Sequence, residues 1–292
     1  MSRYFLTGTA LSLLYAAAAF PQVTFTFTSF DPPGSQETHA YAVNNNGAIV
    51  GYYLDSRNAY VGYERSKTGA FSKPIQQGVN LYATGLNDYG VISGYYYPST
   101  GNEVSFTLSK GVYTDFAYDT YVTQVNSIND NGDLAGIYVE NATLYPGFLY
   151  VAATNTTVSF SVPGAAATFA EGLNQHDVVV GEYTTIPYST YQSFVRTATG
   201  KIDTFSFPGA AQTYGVAIND CDIIAGSFPD SSGLLHGFYG KVNSFTQIDY
   251  PEAVQTVVDG INNHGNLVGS YFDTSGFRHG FLAVPATPSC PD

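Results

Sequence analysis

Tryptophan is absent from this chain of 292 residues, methionine occurs once, and charged side chains make up only 11% of it. Long amphipathic helices draw on Glu, Lys, Arg, Leu and Met, so the shortage argues against a helical bundle or a doubly wound α/β fold. Basic residues are scarcest: 10 Lys and Arg stand against 23 Asp and Glu, for a net charge of -13. A surface of that sign repels a polyanion, and no nucleic-acid partner is expected. Beyond the first twenty positions no apolar run is long enough to span a membrane, and no hydrophobic tail offers a lipid anchor. No membrane partner is expected either. The two cysteines are too few for a disulfide framework or a paired-thiolate metal site.

What is plentiful is turn and strand material: 30 Gly, 14 Pro, 25 Tyr and 20 Phe, within 44% hydrophobic residues. That inventory points to an all-β protein with a sizeable core. At the N-terminus Arg3 precedes an apolar run from Phe5 to Ala19, with Ala17 and Ala19 placed as a cleavage site. Residues 1–19 read as a secretory signal peptide and residues 20–292 as one secreted domain. Asn141-Ala142-Thr143 and Asn155-Thr156-Thr157 are glycosylation acceptors in that setting. In an oxidising compartment Cys221 and Cys290 either pair, pinning the tail to the fifth repeat, or stay as two free thiols.

An internal repeat fills the mature chain. A small residue, an aliphatic one and Asn, with a turn residue three positions later and Gly seven positions later, recur at Asn44, Asn87, Asn129, Asn174, Asn219 and Asn262. A second marker, small residue then aromatic, keeps register downstream at Tyr63, Phe106, Phe148, Phe194, Phe238 and Phe281. Each unit of about 43 residues resolves into four short strands, which is the period of a propeller blade. In the third unit the strands are expected at 123–128, 134–139, 145–151 and 157–162. The fold expected is an all-β, six-bladed β-propeller with four antiparallel strands per blade. The sixth unit stops after its third strand near Val284, while Phe27 to Gly34 resembles the fourth strands of other units. The N-terminal strand is therefore expected to complete the last blade and leave no open edge.

Catalytic signatures are missing: no phosphate-cradling glycine loop, no H-E-x-x-H, no G-x-S-x-G. His236 and His279 sit where Pro146 and Gln192 stand in other units, which marks a blade position and not a ligand set. No metal and no cofactor are expected. The informative positions are those where the repeats disagree. Two before the Asn the residue is always small, and six before it Thr occurs in five of six units; both read as packing positions near a crowded axis. Five and three before the Asn the residues vary: His39 and Tyr41, Tyr82 and Thr84, Gln124 and Asn126, Phe169 and Glu171, Tyr214 and Val216, Val257 and Asp259. On innermost strands this set lines the central funnel and has the aromatic and polar make-up of a small-molecule pocket. Filling a tapering channel would ask for mixed sizes too, but Glu171 and Asp259 are costly to bury without a use or a partner.

The runs Gly85 to Gly94, Gly260 to Gly269 and His279-Gly280-Phe281-Leu282, with Phe245 to Asp249, resemble the HAF-type extracellular repeat over nearly the whole mature chain. That resemblance implies the architecture and is silent on activity. In size, signal and tyrosine-rich blades the chain is also similar to the secreted fungal propellers that catalyse hetero-Diels-Alder coupling in tropolone sesquiterpenoid pathways, although no catalytic motif matches residue by residue. Such a coupling needs two apolar partners held in near-attack geometry and a hydrogen bond or two on the heterodiene. On this reading Tyr82, Gln124, Glu171 and Asp259 are the candidate catalytic groups, and His39, Tyr41, Thr84, Asn126, Phe169 and Tyr214 line a site for a hydrophobic small molecule. The alternatives are a carbohydrate-binding or adhesive module, with tyrosines such as Tyr95, Tyr96 and Tyr97 stacking on a glycan, and a purely structural repeat.

Overall fold

A computed structural model describes residues 23–185, 190–288 and 290. The signal-peptide reading of residues 1–19 lies outside the described residues. Every regular element among the described residues is a strand, and the strands form six antiparallel sheets round one axis. The inner strands are Glu37–Val43, Asn80–Leu86, Thr123–Ile128, Ala167–Leu173, Tyr214–Ile218 and Gln255–Ile261, for blades one to six. The third blade continues through Leu134–Tyr138, Gly147–Val151 and Thr156–Phe160, within a residue or two of the pattern read from the sequence.

The ring closes as expected. Phe25–Phe30 pairs antiparallel with Arg278–Pro285, from Phe25 opposite Pro285 to Phe30 opposite Gly280, and supplies the outer strand of blade six. Blade one departs from the others, because its sheet holds three strands, Glu37–Val43, Ile49–Leu54 and Tyr60–Arg65. Its outer edge is carried by two isolated bridges, Arg65 with Phe71 and Gly62 with Ile75. Pro74 lies between them and has no N–H for the ladder, so a continuous fourth strand cannot form there.

Both repeat markers have one geometric cause. In every blade the inner strand holds an extra residue three before the Asn, so that Tyr41, Thr84, Asn126, Glu171, Val216 and Asp259 are each left unpaired in a bulge. The bulge presses the carbonyl of the residue five before the Asn onto the central strand. A Cβ at Gly51 or Gly181 would lie 1.9 or 1.8 Å from that oxygen, and only glycine fits. On its other side each glycine faces the marker aromatic, as in Gly136 opposite Phe148 and Gly181 opposite Phe194. Those six aromatics are among the largest fully buried side chains of the molecule.

The repeated Asn builds a closed belt. Each Asn donates from Nδ2 to the backbone carbonyl of the next blade's Asn, from Asn44 to Asn87 and round to Asn262, which donates to Asn44, at 2.9–3.2 Å. The following residue makes a second ring: the N–H of Asn45, Asp88, Asp130, Gln175, Asp220 and Asn263 each donates to the side-chain oxygen of the next member at 2.7–3.0 Å. The threonines six before the Asn act elsewhere than the axis. Thr123, Thr168, Thr213 and Thr256 accept a backbone N–H from Tyr118, Val162, Phe207 and Tyr250, just past the outer strand of the preceding blade.

Cys221 and Cys290 are bridged, with Cα atoms 5.8 Å apart, so the tail is fastened to the turn of blade five. The Cys290 N–H also donates to Asn263 O at 3.1 Å. Reducing this bridge, or Cys221→Ser, is expected to lower the unfolding free energy by about 4 kcal/mol on the loop-entropy model, given a separation of 69 residues. Urea midpoints with and without reductant check it; coincident midpoints would leave the belt alone as the fastening.

Candidate functional site

The axis has two mouths with different chemistry. At the turn mouth Asp88, Asp130 and Asp220 crowd together, and burial followed by the neighbouring aspartates raises the Asp130 carboxyl. These carboxylates already accept the belt's N–H bonds. The opposite mouth is formed where the inner strands begin, by the residues five before the Asn and by those following each central glycine.

Between the mouths the bulges aim side chains into a narrow channel. Tyr41, Thr84, Glu171, Val216 and Asp259 line a cavity of about 90 Å³ together with the small residues two before each Asn. Those residues are small because adjacent inner strands abut there: a Cβ on Gly172 would lie 2.7 Å from Val216 O, and one on Gly260 2.7 Å from Tyr41 O. Thr84 donates to Val125 O at 3.0 Å and Asn126 donates to Ala170 O at 3.1 Å, so both are held by the next blade. Glu171 and Asp259 have no such bond among the described residues. Burial, reinforced by Asp259, raises Glu171 to about 7, and burial raises Asp259 to about 7 against the opposing pull of Arg278. Glu182, on the central strand opposite Phe169, is raised to about 8 by burial and then by Glu171.

The mouth itself is divided. Over blades one and two it is filled with rings: Tyr82 stacks on Tyr95 at 4.8 Å and meets Tyr52 edge-on at 4.9 Å, while His39 stacks on Tyr52 at 4.5 Å. His39 is lowered to about 3 by burial and then by Arg278, so it is a neutral ring. Tyr96 is 7% exposed and Tyr95 is stacked within this wall, so the run Tyr95 to Tyr97 is no open platform for a saccharide; Tyr97 is 40% exposed and donates to Glu103 at 2.7 Å. Between blades three and four the mouth is open. A cavity of about 180 Å³ is lined by Gln124 and Phe169 with Ile137, Tyr138, Tyr145 and Tyr191. A second line of rings continues from it, with Tyr191 6.1 Å from Phe169 and 5.8 Å from Tyr214.

The sequence-derived residues are therefore grouped in three places. Glu171, Asp259, Tyr41 and Thr84 share the channel, Gln124 and Phe169 share the side cavity, and Tyr82 and His39 are built into the aromatic wall. Tyr214 stands beside the side cavity, and Asn126 ties blade three to blade four. Asn141 and Asn155, the glycosylation acceptors, are both exposed. Glu182, Tyr191 and Arg278 were not anticipated. One signal for Glu182 was available: the residue after each central glycine runs Tyr52, Tyr95, Ile137, Glu182, Ser227 and Ser270, another position where the repeat breaks symmetry.

The raised carboxyls carry a stability consequence. Between the ordinary glutamate range and about pH 8 the folded chain holds protons on Glu171 and Glu182 that the unfolded chain has released. Stability from these groups is full below that window and falls as pH rises through it. Unfolding free energy is expected to drop by roughly 2 kcal/mol or more from pH 5 to pH 8, since each tenfold difference in proton affinity between folded and unfolded chain is worth about 1.4 kcal/mol. Glu182→Gln should flatten the slope, and an unchanged slope in urea titrations would show that the pair ionises normally.

No protein-family model and no curated protein matches the chain. Solved structures match it as a fold. They include the Aleuria aurantia lectin in complex with Fucα1-6GlcNAc, at 8% identity and TM-score 0.54 over 89% of this chain and 99% of the lectin. TolB from Acinetobacter baumannii is 13% identical at TM-score 0.53 over 82% of this chain, which spans only 64% of TolB. A luciferin-regenerating enzyme is 10% identical at TM-score 0.51 over 92% of this chain and 98% of that one. The chain is a six-bladed β-propeller. Likeness at these identities establishes the propeller and leaves its chemistry to the site.

Proposed function

We propose that this propeller is a secreted, HAF-type enzyme that binds a bulky hydrophobic small molecule at the open mouth between blades three and four, without a cofactor. The observation that carries the reading is the side cavity of about 180 Å³, where Gln124 and Phe169 meet Tyr138, Tyr145 and Tyr191. A recess of that size takes a ring or two, and the neighbouring channel admits a polar end. The finer reading is an intermolecular hetero-Diels-Alder addition. Three electron pairs of a quinone methide and an olefin shift together, one C–C and one C–O bond form, and no proton is lost. The chain's part is to hold both partners in near-attack geometry and to donate a hydrogen bond to the heterodiene oxygen. Gln124 Nε2 is one donor.

The test supplies an ortho-quinone methide precursor and a trisubstituted olefin to the full chain. The uncatalysed adduct is racemic; the expected product is enantiomerically enriched, and Phe169→Ala is expected to lose at least about tenfold in rate, the scale of a large-to-small change in a pocket. A racemic adduct at the background rate removes the cycloaddition reading. The aromatic faces of the mouth also suit a saccharide, so a positive glycan array with no uptake of neutral aromatics would shift the conclusion to carbohydrate binding.

A further inference from the structure

Glu171 and Glu182 are two funnel carboxyls to which the fold gives no hydrogen-bond donor. Both are half-buried where they border the funnel, and among the described residues neither has a hydrogen-bond donor or a cation in contact. Several other groups at this mouth are answered. Thr84 and Asn126 bond the next blade, and Tyr97 donates to Glu103. Arg278 donates from Nε to Ser270 Oγ at 2.9 Å, lies 3.4 Å through Nη1 from His39 Nε2, and acts on Asp259. It does not reach blade four. An ionised carboxyl with no counter-charge in a half-buried site is disfavoured and takes up a proton instead, so a ligand that brings the charge gains what the empty fold lacks.

Aromatic rings stand beside the same pair. Phe169 is the register partner of Glu182, Tyr191 follows at 6.1 Å and Tyr214 at a further 5.8 Å. Burial and then the charge of Glu182 raise the Tyr214 hydroxyl, which places that carboxyl within electrostatic reach of the ring. Faces of this kind attract a cation, most of all an alkylated ammonium. No three His, Cys, Asp or Glu side chains among the described residues converge as a metal ion requires, so the charge that suits this place belongs to an extended organic molecule.

Resting on the pocket proposed above, we infer that its ligand carries a protonated amine, with the ammonium group seated between Glu171 and Glu182 and the rings of Phe169, Tyr191 and Tyr214, and the apolar body in the cavity between blades three and four. The other titratable groups facing the pair are Asp259 and Tyr41 across the channel, with Arg278 beyond Asp259 and Glu103 at the far wall of the side cavity. Asp259 adds to the field that favours a cation. Because the empty pair holds protons near neutral pH, seating an ammonium expels them.

Calorimetry on the full chain with 2-phenylethylamine, its neutral counterpart 2-phenylethanol and phenyltrimethylammonium tests the inference. At pH 7.5 both cations are expected to bind about tenfold tighter than the alcohol, equivalent to about 1.4 kcal/mol. The binding heat of the amine should vary with the ionisation heat of the buffer, reporting proton release, and the preference should shrink at pH 5. Glu171→Gln with Glu182→Gln should bring the amine to the alcohol's affinity. Equal affinities in the parent chain, or a preference that survives the double substitution in folded protein, overturns the inference; alcohol binding in those cases leaves the pocket standing. If neither compound nor 1-naphthol binds, both readings fall together. The pH and buffer arms need no variant, so a double mutant that fails to fold does not rescue the idea.

Discussion

Deleting residues 20–35 is expected to abolish the native state of all six blades together. Phe25–Phe30 is the outer strand of blade six, and its loss exposes the whole edge of Arg278–Pro285. It also removes apolar contacts on both sides of the seam. Phe25 lies 5.2 Å from Tyr239, Phe27 5.5 Å from Tyr250, and Phe30 6.4 Å from Tyr63 of blade one. Asp31, which holds His279 at 2.7 Å and accepts from Thr38 at 2.6 Å, goes with them. Phe30 is buried and Phe25 and Phe27 are half-buried; with about 3–5 kcal/mol for a fully buried Phe and less for the other two, and with the strand pairing gone, the loss is comparable to the usual net stability of a domain, about 5–15 kcal/mol. An opened ring also parts Asn262 from Asn44 and Asn263 from Asn45, breaking both belts at one point. Near-ultraviolet circular dichroism and gel filtration should show an expanded chain with no cooperative melt. A truncated chain that melts at the parental temperature would mean that the belts close the ring without the strand.

The second large effect is expected from the smallest substitution. In Gly181→Ala the added methyl would sit 1.8 Å from Phe169 O and 2.9 Å from the Phe194 ring, so the strands must part or the bulge must unwind. A loss of about 3–5 kcal/mol is expected, the range of severe core disruptions. Gly164→Ala is the comparison: its φ is +81° but nothing lies within 4 Å of the added atom, so only backbone strain of about 1–2 kcal/mol applies. Urea denaturation of both variants separates the two causes. If Gly181→Ala unfolds no more easily than Gly164→Ala, the contact between bulge and glycine is not what fixes that residue. Because Phe169 and Glu182 flank this bulge, Gly181→Ala is also expected to lose the ligand.

How far the molecule could be read before folding differs from element to element. The strands of the third repeat and the closing strand were legible, since turn residues and alternating side chains act over a few neighbours. The recurring Asn was legible as a marker but not as a belt, because its partner carbonyl lies one whole repeat away. Four strands were expected in blade one as in the others, and only the register shows that Pro74 leaves its outer edge to bridges at Phe71 and Ile75. At the site the positions where the repeats differ could be picked out, but their company was not foreseeable. Tyr82 and Gln124 occupy equivalent places on adjacent inner strands, but one is packed among tyrosines and the other borders a cavity.

The sequence by itself determined the number of blades, the strand pattern of the repeat, the way the ring is closed and which positions break the symmetry, because each of these follows from local backbone chemistry repeated six times. The tertiary structure alone decided that Glu171 lies within electrostatic reach of both Asp259 and Glu182, and that the mouth opens into a cavity between blades three and four. Such facts depend on which side chains meet across the axis from strands dozens of residues apart, and on the polarity of the interior they create; no periodicity along the chain encodes either.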